Sequence, residues 1–160
     1  MIVLEDSIEI SASPTDMFAF AANLDDNYLL MSDDHIHFES LTGDPVTEDS
    51  VFCQYEWFGD RLIGGKYRVK TVVPNRQLVY EVAFPRSILG GRLRFLIEPT
   101  ETGIVLTERL ELGRSIPAVS PVVEWFFTTI LGSMMDSLRE HQRDGLQNIK
   151  QALETDSFSR

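Results

Sequence analysis

Hydrophobic and polar residues alternate along the middle of the chain in a series of short segments. In "GKYRVKT", Tyr67, Val69 and Thr71 alternate with basic residues, and "GRLRFLIEP" repeats the alternation further on. A period of two predicts strands with one apolar and one charged face, which is typical of an antiparallel sheet covered on one side. Turn residues divide residues 35–112 into about six such segments, so we expect hairpin neighbours.

Helical patterns occur near both ends of the chain. "VLEDSIEI" predicts a first strand, and in the following "SASPTDMFAFAANL" Ser13 can cap a helix that starts at Pro14. "DDNYLLMS" predicts a second short helix or turn. Near the C-terminus, Ser120-Pro121 starts a helix that can continue to about Glu154, with a stripe of residues at steps of three or four. The stripe consists of Leu131, Met134, Leu138, His141, Gly145, Ile149 and Ala152.

The order of these elements predicts an α+β protein. The apolar face of the sheet needs a cover, and the long C-terminal helix is the one large element that can provide it. We therefore expect a curved antiparallel sheet of six or seven strands around that helix, with a bulge or bend at Gly64-Gly65. Such a sheet cannot close tightly everywhere, so a cavity is expected beneath it. Residues 1–154 form one domain in this interpretation, and residues 155–160 form a disordered tail.

Charge and cysteine content limit the partners that we expect. The chain has 25 acidic and 14 basic residues, a formal net charge of −11, which disfavours nucleic acid and anionic membranes. The single cysteine, Cys53, cannot form an internal disulfide, so a reducing cytoplasm is expected. No stretch predicts a membrane span, and the N-terminus lacks the pattern of a signal peptide. Both a monomer and a homodimer remain open.

Three ionisable side chains are candidates for chemistry inside the cavity. His141 lies on the stripe of the long helix, where it serves as a ligand, a proton carrier or a core histidine bonded to a carbonyl. Glu108 shares a strand face with four aliphatic residues, so its carboxylate has to pair, take a proton or bind a ligand. Glu56 faces the core or the solvent according to which face of its strand is buried, and the pattern there leaves both orientations open.

Two further histidines, His35 and His37, are two residues apart in "HIHFES" and so share one face of a regular strand. Ile36 and Phe38 form the apolar pair of that strand, which favours histidines that face water. The mouth of a cavity gives the same pattern. A His-x-His pair on a strand is also a usable metal-binding arrangement.

Aromatic residues on the predicted strands are candidates for the cavity wall, because small-molecule sites are lined mostly by apolar side chains. We expect the ligand to contact Tyr55, Trp57, Tyr67, Tyr80 and Phe95, together with Leu138 of the long helix. His141, Glu108 and Tyr28 are expected to polarise an oxygen atom of the ligand and to move a proton, which favours polar chemistry on a carbonyl.

Residues at both ends of the chain resemble those of a known superfamily. Ala12-Ser13-Pro14 follows the first strand and precedes a helix with Phe18 and Phe20, and "NIKQALE" closes the last helix. In this order of elements the chain resembles the START-like or SRPBCC superfamily, whose members have the helix-grip fold. The resemblance implies a cavity for a small hydrophobic molecule. The superfamily includes polyketide cyclases, lipid carriers, cochaperones and metal-binding hydrolases, and a cyclase-like activity on an aromatic or polyketide-like molecule is the first expectation.

A second, more specific resemblance is to the diacetylphloroglucinol hydrolase group of that superfamily. Those enzymes bind zinc with a His after the N-terminal helices, a Glu on a following strand, and a His and a carboxylate on the last helix. The resemblance implies zinc ligands at His35 (or His37), Glu56 and His141. Gly145 occupies the position of the fourth ligand. Two alternatives to a cyclase-like enzyme follow: a zinc hydrolase with three protein ligands and a water, or a carrier without catalysis.

Overall fold

The structure, a computed structural model, describes residues 2–83, 90–113, 125 and 132–159. Its elements are β1 Ile2–Ile10, α1 Pro14–Ala22, α2 Leu24–Met31, β2 His35–Thr42, β3 Val51–Phe58, β4 Arg61–Val73, β5 Gln77–Val82, β6 Gly91–Pro99, β7 Ile104–Leu112 and α3 Gly132–Glu154. The predicted helix start at Ser120-Pro121, Leu131 and the side chain of Met134 lie outside the described residues.

The described strands form one antiparallel sheet in the order β1-β7-β6-β5-β4-β3-β2. Consecutive strands from β2 to β7 are neighbours, as the short connections predict, and β1 pairs with β7. Helix α3 contacts β1, β3 and β7, and it also contacts both short helices. This confirms the predicted α+β helix-grip architecture, in which a curved sheet wraps around a long C-terminal helix.

The paired glycines of β4 have a different role from the predicted bulge. The ladder between β3 and β4 is regular at Gly64 and Gly65, and the shift in β4 occurs against β5, between Val69 and Thr71. A side chain at Gly64 would collide with the ring of Tyr55 on the neighbouring strand. The glycine therefore makes room for an aromatic ring on the outer face of the sheet.

The N-terminus of α1 shows the predicted capping arrangement. The Ser13 Oγ accepts a hydrogen bond of 3.1 Å from the Asp16 backbone N–H, and the Asp16 carboxylate accepts one from the Ser13 backbone N–H. Pro14 occupies the first helical position. This capping box fixes the direction in which the chain enters α1, and α1 then buries Met17 and Phe20 against the core.

Helix α3 carries the largest apolar face among the described helices. Leu138, Gly145, Ile149 and Ala152 of the predicted stripe are buried, and Ile149 packs in the core with aliphatic residues of the sheet. The helix ends at Glu154, as predicted. No helix among the described residues is long and apolar enough to cross a membrane.

The segment after α3 makes specific contacts, although the sequence predicts a disordered tail there. The ring of Phe158 packs against Phe20, with 5.8 Å between the ring centroids. The Ser159 backbone N–H donates to Asn27 Oδ1 at 2.8 Å, and Asn27 Nδ2 donates back to the Ser159 carbonyl. An apolar ring and a buried amide thus attach this segment to α1 and α2.

Candidate functional site

A cavity of about 230 Å³ lies between the inner face of the sheet, α2 and α3. This exceeds the roughly 150 Å³ of an apolar cavity that binds benzene, so it has room for a substituted aromatic ring. Its apolar wall includes Phe52, Tyr67, Leu93, Phe95, Leu110 and Leu138. Its polar groups include His35, Gln54, Glu56, Glu108, His141 and Gln142.

Three side chains from three elements meet in the wall of this cavity. The Nε2 atoms of His35 and His141 lie 3.2 Å apart. The Oε2 atom of Glu56 lies 3.2 Å from the first of these nitrogens and 3.3 Å from the second. These three atoms therefore form a nearly equilateral triangle. The structure brings together the three residues that the hydrolase resemblance implies as ligands.

A bulge in β2 turns His35 toward the cavity. His35 pairs with Glu56 and His37 pairs with Tyr55, so Ile36 is an extra residue between two consecutive pairs. The two histidines consequently face opposite sides: the side chain of His35 is 4% exposed, whereas that of His37 is 51% exposed. The predicted shared face is wrong because β2 is not a regular strand here, and His37 is not a member of the cavity cluster.

The inward face of β3 is the one that carries Glu56. Glu56 and Gln54 line the cavity together with Phe52. The residues between them, Tyr55 and Trp57, are 42% and 41% exposed on the outer face. The sequence predicts that both contact the ligand. This is wrong: both lie away from the cavity, because alternate residues of a strand point to opposite faces.

The other predicted residues line the cavity as expected from their elements. Tyr28 is on α2, Leu138 and His141 are one turn apart on α3, and Tyr67, Tyr80, Phe95 and Glu108 are on the inner face of the sheet. Gly145, one turn beyond His141, also lines the cavity. An added Cβ there would have Met31 O as its nearest neighbour, at 3.8 Å, which is ordinary contact.

Neighbouring groups orient the three clustered side chains. The His35 Nδ1 lies 2.8 Å from the Tyr28 carbonyl oxygen, so a hydrogen on Nδ1 donates to it and leaves the Nε2 lone pair directed at the cluster. The ring of Tyr28 stacks on His35 with 3.9 Å between centroids, and its hydroxyl donates to Glu56 Oε2 at 3.3 Å. Gln54 Nε2 donates to Glu56 Oε1 at 3.3 Å.

Electrostatics keep the cluster charged near neutral pH. Burial raises the pKa of Glu56, but hydrogen bonds with His141 and His35 outweigh it and lower this pKa to about 2. Burial lowers the pKa of His141, but the hydrogen bond with Glu56 and the charges of Glu56 and Asp34 raise it above its ordinary value. The carboxylate is therefore ionised, and it stabilises a proton on the neighbouring imidazole.

Two hydroxyls and one carboxyl group of the cavity region stay protonated. Burial, followed by the charge of Glu56, raises the pKa of Tyr28, and burial raises that of Tyr80. Burial raises the pKa of Glu108 to about 8, against a weaker opposing effect of His141. At pH 7 the Glu108 carboxyl group consequently carries a proton, and it can donate a hydrogen bond to an oxygen atom in the cavity.

The geometry of the cluster fits a small divalent cation. Zinc binds nitrogen and oxygen ligands at about 2.0–2.1 Å in a tetrahedron, which places ligand atoms about 3.3 Å apart. The observed separations of 3.2 to 3.3 Å match this value. Two imidazoles and a carboxylate are a common ligand set for catalytic zinc. The backbone bond at His35 Nδ1 is the kind of outer contact that metal-binding histidines make.

Two polar residues of the site were missed or left open by the sequence argument. Gln54 contacts Glu56. It lies two residues earlier on the same strand, so it points to the same side, and it could have been predicted once the inward face of β3 was known. Gln142 is buried and donates from Nε2 to the Glu108 carbonyl oxygen at 2.9 Å. It lies off the apolar stripe of the helix, so no periodicity points to it.

No family model and no curated protein matches the chain. The solution structure of the KanY protein is similar with a TM-score of 0.72 at 15% identity, covering 96% of this chain and 97% of that chain. The di-domain ARO/CYC StfQ from the steffimycin biosynthetic pathway has a TM-score of 0.69 at 16% identity, covering 97% of this chain and 51% of that chain.

The protein Ara h 8.0201 is similar over 96% of this chain and 98% of that chain, with a TM-score of 0.67 at 9% identity. At identities this low the likeness concerns the fold. The chain shares the helix-grip fold with these structures. The resemblance found in its sequence at Ala12-Ser13-Pro14 and in its last helix is thereby confirmed at the level of architecture.

Proposed function

We propose that the protein binds a small hydrophobic, aromatic molecule of polyketide type in the cavity and hydrolyses it with a zinc ion held by His35, Glu56 and His141. The observation that carries this proposal is the triangle of ligand atoms, with sides of 3.2 to 3.3 Å, in the cavity wall. The aromatic wall supports the ligand class. The resemblance to the diacetylphloroglucinol hydrolase group supports hydrolysis of an ester or a carbon–carbon bond next to a carbonyl.

The residues of the site divide the work between binding and proton transfer. When bound, zinc supplies the activation of a water molecule and the polarisation of a carbonyl oxygen. Gln54 and Tyr28 hold the Glu56 carboxylate in place through hydrogen bonds to its two oxygens. Glu108, protonated at neutral pH, can donate a proton to a leaving oxygen or carbon atom of the substrate.

The apolar wall determines where the ring of the substrate lies. Phe52 stacks on Tyr67, with 5.6 Å between centroids, and meets Tyr80 edge-on. A flat ring gains offset or edge-to-face contacts with such a wall. The absence of a fourth side chain at Gly145 leaves space beside the cluster for water and for the reacting carbonyl group of the substrate.

Metal analysis combined with hydrolysis assays tests this function. Purified protein is expected to retain about one zinc per chain in the cavity site and to cleave members of a panel of aryl esters and acylated phenols. A chelator and the His141→Ala substitution are both expected to abolish cleavage. Tyr55→Phe, on the outer face, is the matched control and is expected to leave it unchanged. Full cleavage by metal-free protein would contradict the hydrolase proposal.

A cyclase-like enzyme that uses no metal is the second candidate, since the fold is shared with the ARO/CYC protein StfQ. In that case Tyr28, Glu108 and His141 polarise a carbonyl and transfer a proton directly. Activity on a polyketide substrate would then survive chelation and fail in Glu108→Gln.

A carrier without catalysis is the remaining alternative. It predicts that a hydrophobic ligand co-purifies with the protein and that His141→Ala still retains this ligand. Mass spectrometry of the material released on denaturation distinguishes it from the two enzymes.

We also propose the cytoplasm as the compartment, because the single Cys53 is a free thiol. Gel filtration decides between monomer and homodimer.

A further inference from the structure

A second group of metal-binding side chains lies on the opposite face of the sheet from the cavity. His37 and Glu39 are on β2 and Cys53 is on β3, and one ligand atom from each lies within 4.8 Å of the other two. The pairing of the strands explains the grouping: Glu39 is the direct cross-strand partner of Cys53, and His37 is two residues before Glu39 on the same face. None of the three lines the cavity.

The donor atoms of this outer cluster already point at one another. Glu39 Oε2 lies 3.6 Å from His37 Nε2 and 3.9 Å from Cys53 Sγ. A tetrahedral zinc site with sulfur at about 2.3 Å and nitrogen or oxygen at about 2.0–2.1 Å requires separations of about 3.3–3.6 Å. The third separation, between His37 and Cys53, is at most 4.8 Å. The side chains of His37 and Glu39 are 51% and 59% exposed, so both can move to bring the three donor atoms to these separations.

The combination of donors selects the class of cation. A thiolate, an imidazole and a carboxylate suit zinc and chemically related divalent ions, whereas magnesium and calcium prefer oxygen ligands alone. Cys53 is buried and the other two side chains are exposed, which anchors the site in the sheet and leaves a coordination position open to solvent. Lys66 lies on β4 directly opposite Cys53, and its positive charge opposes the binding of a cation.

We propose that His37, Glu39 and Cys53 form a second site, on the outer face of the sheet, for a zinc-like divalent cation. On binding, the thiol of Cys53 releases its proton to the solvent and the thiolate takes the cation together with Glu39 and His37. The site joins β2, an edge strand, to β3 in the stretch between the two register shifts of that pair. It therefore stabilises the same strand that presents His35 to the cavity.

The single cysteine of the chain makes this site selectively observable. Titration of the protein with cadmium is expected to produce thiolate-to-metal absorption in the ultraviolet, and this absorption can arise only at Cys53. His37→Ala and Glu39→Gln are each expected to weaken the cadmium affinity read from this band at least about tenfold, since even outer contacts of metal ligands are worth 10–100-fold. Lys66→Gln is expected to strengthen it by up to about fivefold.

Control variants separate this site from the cavity cluster. His141→Ala removes a ligand of the cavity cluster, so the band and its midpoint in free cadmium are expected to stay as in the unmodified protein. Cys53→Ser is expected to abolish the band. Absence of thiolate absorption at saturating cadmium would overturn the proposal. The same holds for a band that His37→Ala and Glu39→Gln leave unchanged, because the thiol would then bind the ion without its neighbours.

Discussion

At the scale of single residues, Glu56 is the centre of the site. Its Oε2 atom is close to both imidazole Nε2 atoms and to the hydroxyl of Tyr28, and its low pKa means that the carboxylate is ionised at neutral pH. The sequence leaves open whether this residue faces inward. The packing of the whole sheet resolves that choice, because apolar residues occur on both faces of the strand.

Replacement of the central carboxylate is expected to remove metal binding without unfolding the protein. Glu56→Gln keeps the size of the side chain but not its charge, so the zinc affinity is expected to fall by at least about 100-fold. Isothermal titration with zinc, in the Cys53→Ser background to silence the outer cluster, measures this. Glu108→Gln, another amide substitution in the cavity, is the control and should retain the affinity. Equal affinities in both variants would contradict the assignment of Glu56.

The raised pKa of Glu108 predicts a particular pH dependence of stability. In the unfolded chain this carboxyl group titrates near 4.5, and in the folded protein near 8. Between these values the unfolded chain loses the proton first, so the contribution of this group to the free energy of unfolding decreases as the pH rises. Glu108→Gln removes this loss and is expected to be more stable than the unmodified protein by roughly 1–3 kcal/mol at pH 8. The range is smaller than the full pKa shift corresponds to, because solvent reaches the cavity and screens the charge.

Urea denaturation of both proteins between pH 4.5 and 8 measures the effect. The difference in the free energy of unfolding is expected to widen over this range and to stay constant below it. Glu98→Gln, at an exposed position of β6, is the control. Parallel stability curves for Glu108→Gln and the unmodified protein would show that the carboxyl group titrates normally.

Tyr80 carries a buried hydroxyl that has no hydrogen-bond partner among the residues that the structure describes. A buried polar group without a partner costs about 1–3 kcal/mol, so Tyr80→Phe is expected to raise the free energy of unfolding by about 1 kcal/mol. Tyr28→Phe removes the bond to Glu56 and is expected to lower it by a similar amount. Denaturant unfolding compares the two, and a destabilised Tyr80→Phe would reveal a partner for this hydroxyl.

At the scale of secondary-structure elements, two irregularities create the site. The bulge at Ile36 turns His35 inward, and Gly145 leaves a gap on the inner face of α3. The sequence indicates both strands and the stripe of the helix, because their periodicity follows from burial on one side. It does not indicate the bulge. An extra residue in a strand leaves no hydrophobic signal of its own, and it interrupts the alternation from which the facing of each residue is predicted.

The gap in α3 can be filled to test its role. A Cβ at position 145 meets Met31 O at 3.8 Å and nothing closer outside the helix backbone. Since Ala is favoured over Gly in a helix by about 0.5–1 kcal/mol, Gly145→Ala is expected to raise the melting temperature and to keep the zinc affinity. Binding of bulky aromatic ligands is expected to weaken. Gln147→Ala, on the exposed side of α3, is the control, and a destabilised Gly145→Ala would show that the space is needed by the fold itself.

At the scale of the whole molecule, metal binding joins elements that are far apart in the sequence. His35 and His141 are brought together from β2 and α3, with Glu56 of β3 between them. Zinc at 100 times its dissociation constant would add about 2.7 kcal/mol to the stability of the fold. For a chain of this size that corresponds to a rise in melting temperature of roughly 5–10 °C. Thermal unfolding with zinc and with chelator measures this rise. In His141→Ala, the part of the rise that comes from the cavity cluster is expected to be absent.

The fold was predictable because its order of elements, its turns and its capping residues agree with one another. The position of each site residue was predictable only where one face of an element is clearly apolar, as for His141 and Glu108. Tyr55 and Trp57 were misassigned because large aromatic residues suggest a cavity wall even on an exposed face. The binding chemistry depends on distances between residues of separate elements, and no local pattern contains these distances.

The most direct test of the metal site is a crystal structure of zinc-loaded protein with an anomalous difference map at the zinc absorption edge. The proposal predicts a peak about 2.0–2.2 Å from His35 Nε2, His141 Nε2 and Glu56 Oε2. A map without a peak at this position, in crystals that bind zinc elsewhere on the protein, would contradict it and leave the three side chains as a buried hydrogen-bonded cluster.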